Sequence, residues 1–282
     1  MMREGRSRTG RGKYDGVQSS RWHSAVALFA GREQTNYEDI RRIAASAGER
    51  TGWDFSRVRD EREPVPWDYV EVVRRYLHPE DRVLDIGTGG GERFLELATG
   101  FDKGVGIDFD PEMLQVAREN ANQQLASHVS FEPMDARHLR FSDGSFDVVL
   151  NRHALTEVAE IVRVLRTGGV FITQQVGRRN TENIHSVFGF DPTAEWPEDF
   201  HDVHVRALAF SEAGCEVIAH AEYDVGYRFL DVESLVFWLK AVPMPFDPER
   251  DWQQVLEIIA RYGNPRGIET NEHRELLIVR KQ

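Results

Sequence analysis

Gly87, Gly89 and Gly91 stand at alternate positions just behind the apolar run Val83–Ile86, and one acid, Asp85, interrupts that run. Glycines at the end of a strand permit positive φ and let a ligand touch the main chain. In an open parallel sheet, ligands settle at this point, beyond the carboxyl end of the first strand. A dinucleotide site calls for G-x-G-x-x-G, with a helix N-terminus aimed at a pyrophosphate. Here the spacing is G-x-G-x-G, and Glu92 holds the position of the third dinucleotide glycine. Asp85 would repel a pyrophosphate, and the Gly-Lys-Ser/Thr of a P-loop is absent. Both features suit a ligand with a positive ammonium and no phosphate, such as S-adenosylmethionine.

The ordered set Asp85-Ile86-Gly87-Thr88-Gly89-Gly90-Gly91-Glu92 resembles the first motif of the class I S-adenosylmethionine-dependent methyltransferases. Further features follow in register: Asp108 ending a second strand, Asp135-Ala136 after a third, Ser142 to Asp147 before a fourth, and Leu165 to Gly169 before a fifth. The likeness covers about residues 80 to 180. It implies that Asp85, Gly87, Thr88, Gly89 and Gly91 form the cofactor loop, and that Asp108 accepts from the ribose hydroxyls. It also implies that Phe109 and Met113 lie beside the adenine, that Asp135 and Ala136 meet the adenine edge, and that Asn151 lines the methionine part. An acid at the position of Asp108 occurs in any doubly wound nucleotide fold, so it supports the class without separating its members.

Methyl transfer from a sulfonium is an in-line displacement, for which an enzyme supplies mainly alignment and exclusion of water; a base is needed only if the acceptor carries a proton. Asn151-Arg152-His153 occupies the carboxyl end of the fourth strand, and His153 is the candidate catalytic base, titrating near neutrality. The alternative for His153 is a local hydrogen bond that shapes its loop. Gln174 and Gln175 point to opposite faces of the fifth strand, so at most one of the two faces the pocket. His201 and His204, i and i+3 beside Glu198, Asp199 and Asp202, have metal-ligand spacing. A charged helix start whose acids favour the N-terminal dipole explains them without an ion, and no metal is expected. Trp22, Tyr37, Trp53, Phe55, Trp67, Tyr69, Phe237 and Trp238 either roof an acceptor pocket or pack extra helices on the sheet.

These residues need a parallel α/β frame. From Arg82 onward short β-rich runs alternate with amphipathic helix-length stretches. Strands are expected at Val83–Ile86, Gly104–Asp108, Val129–Pro133, Phe146–Asn151, Val170–Val176, Glu216–Val225 and Glu275–Val279. Helices are expected near Gly91–Thr99, Pro111–Leu125, Glu157–Leu165, Asp199–Ala213, Val232–Ala241 and Trp252–Tyr262, with irregular chain from Gly177 to Pro197. Before this frame, helices are expected at Ser20–Ala30, after Asn36, and after Pro66. With the resemblance, the fold class is α/β: a doubly wound, Rossmann-like, mostly parallel seven-stranded sheet whose last strand is antiparallel. The expected division is a flexible tail over 1–20, an N-terminal helical extension or lid over 21–79, and a methyltransferase domain over 80–282 with a helical insertion at about 228–265.

Composition limits the partners. The 282 residues are 40% apolar and 10% aromatic, enough for one substantial core with appendages. A net charge of −12 offers no broad positive field for a phosphate backbone, so nucleic acid is not an expected partner. Cys215 is the one cysteine, which removes an intramolecular disulfide and a multi-cysteine metal site and points to a buried core thiol. No run approaches the ~20 apolar residues that span a bilayer. A cytoplasmic methyltransferase acting on a small-molecule methyl acceptor is therefore the leading expectation. Its rivals are an NAD(P)-dependent oxidoreductase, a non-catalytic S-adenosylmethionine-binding regulatory subunit, and an RNA or protein methyltransferase; the last lacks an Asn-Pro-Pro-Tyr-like motif after the fourth strand.

Overall fold

The computed structural model of the chain describes residues 35–47, 55–191, 194, 202–242 and 244–282. The expected tail, the helix expected at Ser20–Ala30, Trp22, Trp53, and Glu198 to His201 lie outside the described residues.

Asp85 and the glycine loop owe their position to a central sheet. Its strands, in chain order, are β1 (Asp60–Arg62), β2 (Arg82–Ile86), β3 (Lys103–Asp108), β4 (Val129–Pro133), β5 (Phe146–Arg152), β6 (Leu165–Val176), β7 (Cys215–Phe229), β8 (Gly263–Asn264) and β9 (Gly267–Lys281). They lie side by side as β1-β7-β9-β6-β5-β2-β3-β4, with β8 paired to β9. β4, β3, β2, β5 and β6 run parallel to their neighbours, whereas β9 is antiparallel to both β6 and β7. The doubly wound sheet with an antiparallel last strand is thus present, and β1 and β8 extend its seven strands by two short ones. The chain moves outward from β2 to β4 and then returns to β5 on the other side of β2. This reversal opens a crevice above the carboxyl ends of β2 and β5, directly at the glycine loop.

Nine α-helices are described: α1 (Tyr37–Ala47), α2 (Tyr69–Arg74), α3 (Glu92–Leu95), α4 (Pro111–Gln123), α5 (Val158–Val164), α6 (Glu182–Phe188), α7 (Val203–Glu212), α8 (Val232–Ala241) and α9 (Trp252–Tyr262). Aspartates start several of them. Asp68, Asp110, Asp202 and Asp231 each accept from a main-chain N–H of the first turn, a cap worth about 1 kcal/mol. One face of the sheet buries Val83, Val148, Leu150 and Ile172 against α2, α3 and α4. The other buries Leu84, Ile86, Val149 and Phe171 against α5 and α7. Cys215 lies in this second layer as a buried free thiol. A third cluster gathers α1, α6, α8 and α9 around Phe229 and Ile268, on the arm where β7 and β9 run beyond the end of β6.

The long antiparallel arm is the main difference from the expected elements. The sixth and seventh strands reach Phe229 and back to Gly267, because past Val225 and before Glu275 polar and apolar residues mix and the two-residue alternation fades. β1 is Asp-Glu-Arg with all three residues exposed, so no apolar pattern announces it, and only pairing with Tyr227 to Phe229 makes it a strand. α6 lies inside the stretch expected to be irregular, where Ile184 alone of its residues is fully buried.

On the sheet face that packs α5 and α7, α7 is tied to β9 by a buried ion pair, with Arg206 Nη1 2.6 Å from Glu275 Oε2. Burial raises the Glu275 pKa. Arg206→Met leaves that carboxylate uncompensated and is expected to cost about 3–5 kcal/mol in urea unfolding. The double change with Glu275→Leu is expected to recover most of the loss, because the pair is then replaced by apolar contact.

Candidate cofactor and acceptor site

The loop after β2 is tightly enclosed. Gly87 and Gly91 have φ of +73° and +76°, which favour glycine, and a Cβ on Gly87 would come within 2.3 Å of Ala154 Cβ. Gly87 N and Thr88 N both donate to Ile107 O at 2.9 Å, so the loop is anchored to β3. Gly91 then starts α3, and Asn120 Nδ2 donates to Gly90 O at 2.8 Å from α4.

Asp108 holds this loop from the end of β3. Its Oδ2 accepts from Gly89 N at 2.9 Å and its Oδ1 from Asp110 N at 3.0 Å, and the side chain is buried. Each oxygen keeps a lone pair for a ligand hydroxyl. Phe109, next in sequence, is 84% exposed, an unusual position for a phenylalanine that nothing covers. Met113 is half-buried on the first turn of α4. Asp135 stands open after β4, its Oδ1 accepting from Arg137 N at 2.9 Å and its Oδ2 3.7 Å from Arg137 Nη1, with Ala136 half-buried beside it.

Asp85 is the unusual group. It is buried, makes no ion pair among the described residues, and has a pKa pushed up to about 7. Burial is the main cause and the nearby Asp108 adds to it, while Thr88 and Arg152 oppose. Two hydroxyls in its surroundings are orphaned. Tyr69, 7% exposed on α2, makes no sound hydrogen bond through its hydroxyl although the Asn151 main chain is close. Burial and then Asp85 push the phenol pKa far up, so it stays a neutral donor. Thr88 Oγ1 is near enough to Asp85 to lower its pKa, yet it too lacks a partner of good geometry. Buried polar atoms without partners are costly in a finished structure, and their convergence on one carboxylate marks a ligand position.

Asn151 is fully buried, and both ends of its amide are occupied. Its Nδ2 donates to Leu155 O at 2.9 Å, and its Oδ1 accepts from Thr173 Oγ1 and Gln175 Nε2. This side chain shapes the loop 152–156. Strand alternation separates the two glutamines as expected: Gln175 serves the Asn151 network, and Gln174 Oε1 accepts from Trp67 Nε1 at 2.9 Å on the opposite face. His153 has φ of +56° and a side chain open to solvent but surrounded by protein, as on the wall of a crevice. Enclosure, then Arg152 and Arg274, hold its pKa well below the ordinary value, so it is a neutral and weak base at pH 7.

The expected aromatic roof divides. Tyr37 packs on Trp252, Phe55 on Phe237, and Trp238 on Phe229 and His185. Among the described aromatics of this set, Trp67 and Tyr69 reach the site, with Trp67 edge-on to Tyr223 at 4.7 Å. Arg152 stands at the carboxyl end of β5, within the run Asn151-Arg152-His153 expected there, while Glu272 and Arg274 on β9 are unforeseen in sequence. These two occupy the in-facing register that Leu276 and Ile278 fill with apolar groups farther along the same strand. Polar residues at core-phase positions of a strand are the signal that could have found them.

Of the metal-spacing pair, His204 Nα–H caps on Asp202 and its ring lies 4.9 Å from His220, while His201 is outside the described residues. A different group, Glu222, His273 and Glu275, brings three ligand-type atoms within 4.8 Å of one another. Arg206 pairs with Glu275, and Arg179 Nη2 lies 3.6 Å from Glu222 and 3.3 Å from His273 Nε2, so guanidiniums supply the counter-charge there.

A glycine loop, an acid ending β3 and a crevice at the reversal of strand order form one arrangement. The Methyltransferase domain family model matches residues 77–200, the span that holds all of them. Residues 77–200 thus match a methyltransferase domain. Within it the chain is 35% identical over 100 residues to the uncharacterized methyltransferase YcgJ of Bacillus subtilis, covering 33% of this chain and 40% of that protein. It is 37% identical over 112 residues to a demethylmenaquinone methyltransferase of Deinococcus radiodurans, covering 36% and 46%. The chain thus spans less than half the length of these curated relatives. In shape, the crystal structure of Bacillus subtilis YcgJ superposes with a TM-score of 0.57 at 20% identity over 76% of this chain and 98% of that one. A putative methyltransferase of Bacillus halodurans gives 0.59 at 20% identity over 76% and 98%. The methyltransferase domain therefore supplies the β2 to β6 half of the sheet, and no described helix is long and apolar enough to cross a membrane.

Proposed function

We propose that the chain is an S-adenosylmethionine-dependent methyltransferase acting on a small-molecule acceptor. The observation that carries this reading is Asp85: a buried carboxylate with no ion pair among the described residues, next to an enclosed glycine loop, asks for a cation without phosphate. An ammonium satisfies it; a pyrophosphate does not. In this reading Asp85 takes the ammonium of the cofactor, Asp108 the ribose hydroxyls, and Asp135 and Ala136 the adenine edge. The open ring of Phe109, with Met113 behind it, takes the adenine face. Thr88 and the N–H groups of the loop complete the cradle.

S-adenosylmethionine supplies a methyl carbon activated by a sulfonium. The residues of this chain supply alignment. The rigid Gly87–Gly91 loop and the Asn151 amide network fix the floor, while Trp67 and Tyr69 on one side keep water out. For an acceptor that carries a proton, neutral His153 is the proposed proton acceptor. Its depressed pKa makes it effective only for an acidic proton or one already leaving. A nicotinamide-dependent oxidoreductase is not favoured, because Asp85 and Glu92 both oppose a pyrophosphate.

Calorimetric titration checks the proposal. S-adenosylhomocysteine is expected to bind with a Kd of about 1–50 µM, in the range of common cofactor affinities, with no heat from NADH. Tight NADH binding with no response to S-adenosylhomocysteine would reject it. Transfer of label from radioactive S-adenosylmethionine to a metabolite extract separates an enzyme from a binding subunit.

A further inference from the structure

The wall beyond the glycine loop carries a guanidinium that no carboxylate among the described residues pairs with. Arg152, at the carboxyl end of β5, shares the in-facing side with Asp85 and makes no hydrogen bond or ion pair among the described residues. It lies directly across from Gln174, whose Oε1 is occupied by Trp67. Farther along, Arg274 and Arg62 both turn to one carboxylate, Glu272, at 3.2 and 2.9 Å, and Tyr223 donates to the same carboxylate at 2.7 Å. Of the other charged groups, Asp60 holds the Tyr227 hydroxyl and adds its charge to that of Glu272 on Arg62, and Arg93 pairs with Glu96. Arg152 is thus the guanidinium left without a carboxylate partner among the described residues, while the Tyr69 hydroxyl beside it is orphaned. Asp85 does not settle this charge, because in the reading above it is matched by the ammonium of the cofactor.

We infer that Arg152, with the Tyr69 hydroxyl and the Arg274–Arg62 pair behind it, holds an anionic group, a carboxylate or a phosphate, of the molecule that is methylated. An enclosed guanidinium without a partner is costly, and a planar fork of N–H donors fits an oxyanion with two parallel hydrogen bonds. Burial and the neighbouring Arg93 and Arg274 lower the Arg152 pKa, and an arriving anion reverses that pressure. The acceptor is assigned on position. The charged neighbours of Arg152 away from the glycine loop are Arg274 and Glu272, on a strand separated from β5 by β6. The polar face they share continues up the β7–β9 arm through Tyr223. The inference rests on the methyltransferase reading. It names a substrate class, acidic small molecules.

The same chemistry could serve the carboxylate of the cofactor, so the test separates the two sources. Crystals are soaked in sodium bromide with and without S-adenosylhomocysteine, and the bromide is located by anomalous scattering. The expected result is bromide at Arg152 in both crystals and its loss in Arg152→Gln, with S-adenosylhomocysteine affinity of that variant within about threefold of native. Bromide displaced by the bound S-adenosylhomocysteine, together with a tenfold or larger loss of its affinity in Arg152→Gln, assigns the guanidinium to the cofactor and overturns the inference. S-adenosylhomocysteine bound in the native crystal with no bromide at Arg152 in either state overturns it as well. Failure of S-adenosylhomocysteine to bind the native chain at all removes the methyltransferase reading and this inference with it.

Discussion

Asp85→Asn is expected to weaken S-adenosylhomocysteine binding by about 100-fold while raising the melting temperature of the ligand-free protein, two effects of opposite sign from one atom change. A hydrogen-bonded charge pair away from water is worth about 2–3 kcal/mol, which converts to roughly 30- to 150-fold in affinity. In the ligand-free state the same carboxylate is a burden. Its pKa is pushed from 3.8 to about 7, chiefly by burial. The native state therefore binds a proton that the unfolded state has released between about pH 4 and pH 7, and stability falls as pH rises through that window. The amide carries no charge and escapes this loss, so thermal unfolding at pH 8 is expected to show a gain of a few degrees, at about 2–4 °C per kcal/mol. Binding shows the opposite pH trend. A cation needs the ionised form, so native affinity is expected to drop tenfold or more between pH 8 and pH 5.5, with proton release on binding near pH 7, whereas Asp85→Asn is flat. Calorimetry in buffers of different ionisation heat reads that release directly. An Asn variant that binds as tightly as native would remove the ammonium from this position.

Asp108→Ala is expected to act on stability and binding in the same direction. Both carboxylate oxygens already hold main-chain N–H groups, of Gly89 and of Asp110. Removing the side chain orphans two buried or half-buried donors at about 1–3 kcal/mol each, so the urea midpoint falls by the equivalent of roughly 2–5 kcal/mol. The Gly89 segment loses its anchor and the ribose loses its acceptor, and S-adenosylhomocysteine affinity is expected to fall by 100-fold or more. Asp108→Asn keeps one acceptor oxygen and is expected to lie between native and Ala in both measurements. It also guards against a simple failure of the Ala variant to fold. An Ala variant with native stability would mean that the loop stands without Asp108.

Much of the frame was legible because its signals are local. Apolar runs of four to six residues broken by turn residues mark β2 to β5, and their observed bounds differ from the expected ones by at most a residue or two. Asp110 with Pro111 starts α4 where the capping rule places it. β1 was not legible, since three exposed charged residues become a strand only when Tyr227 to Phe229 lie beside them. The length of the β7–β9 arm was hidden for a related reason. Its two strands stabilise each other by main-chain pairing, which leaves little trace in side-chain alternation.

The candidate site divides along the same line. The glycine spacing, the acid before it and the acid after β3 are read directly from sequence, because a tight turn and the groups flanking it are close neighbours in the chain. The roles of Asn151 and Arg152 are not. Asn151 looks like a lining residue and turns out to be sealed in a network with Thr173 and Gln175. Arg152 is placed at the end of the fourth strand by the sequence without a role and turns out to be a guanidinium with no ion pair among the described residues.

By itself the sequence determined a doubly wound α/β sheet, a glycine-rich loop at its first crossover and the acids that flank that loop, since turn chemistry and two-residue alternation act over a few residues. Only the tertiary structure decided that Asp85 is buried without an ion pair among the described residues, that the Tyr69 phenol feels its charge, and that Arg152 meets the charges of β9. Burial and charge balance depend on which distant strands the sheet register brings side by side, and no local pattern encodes that sum.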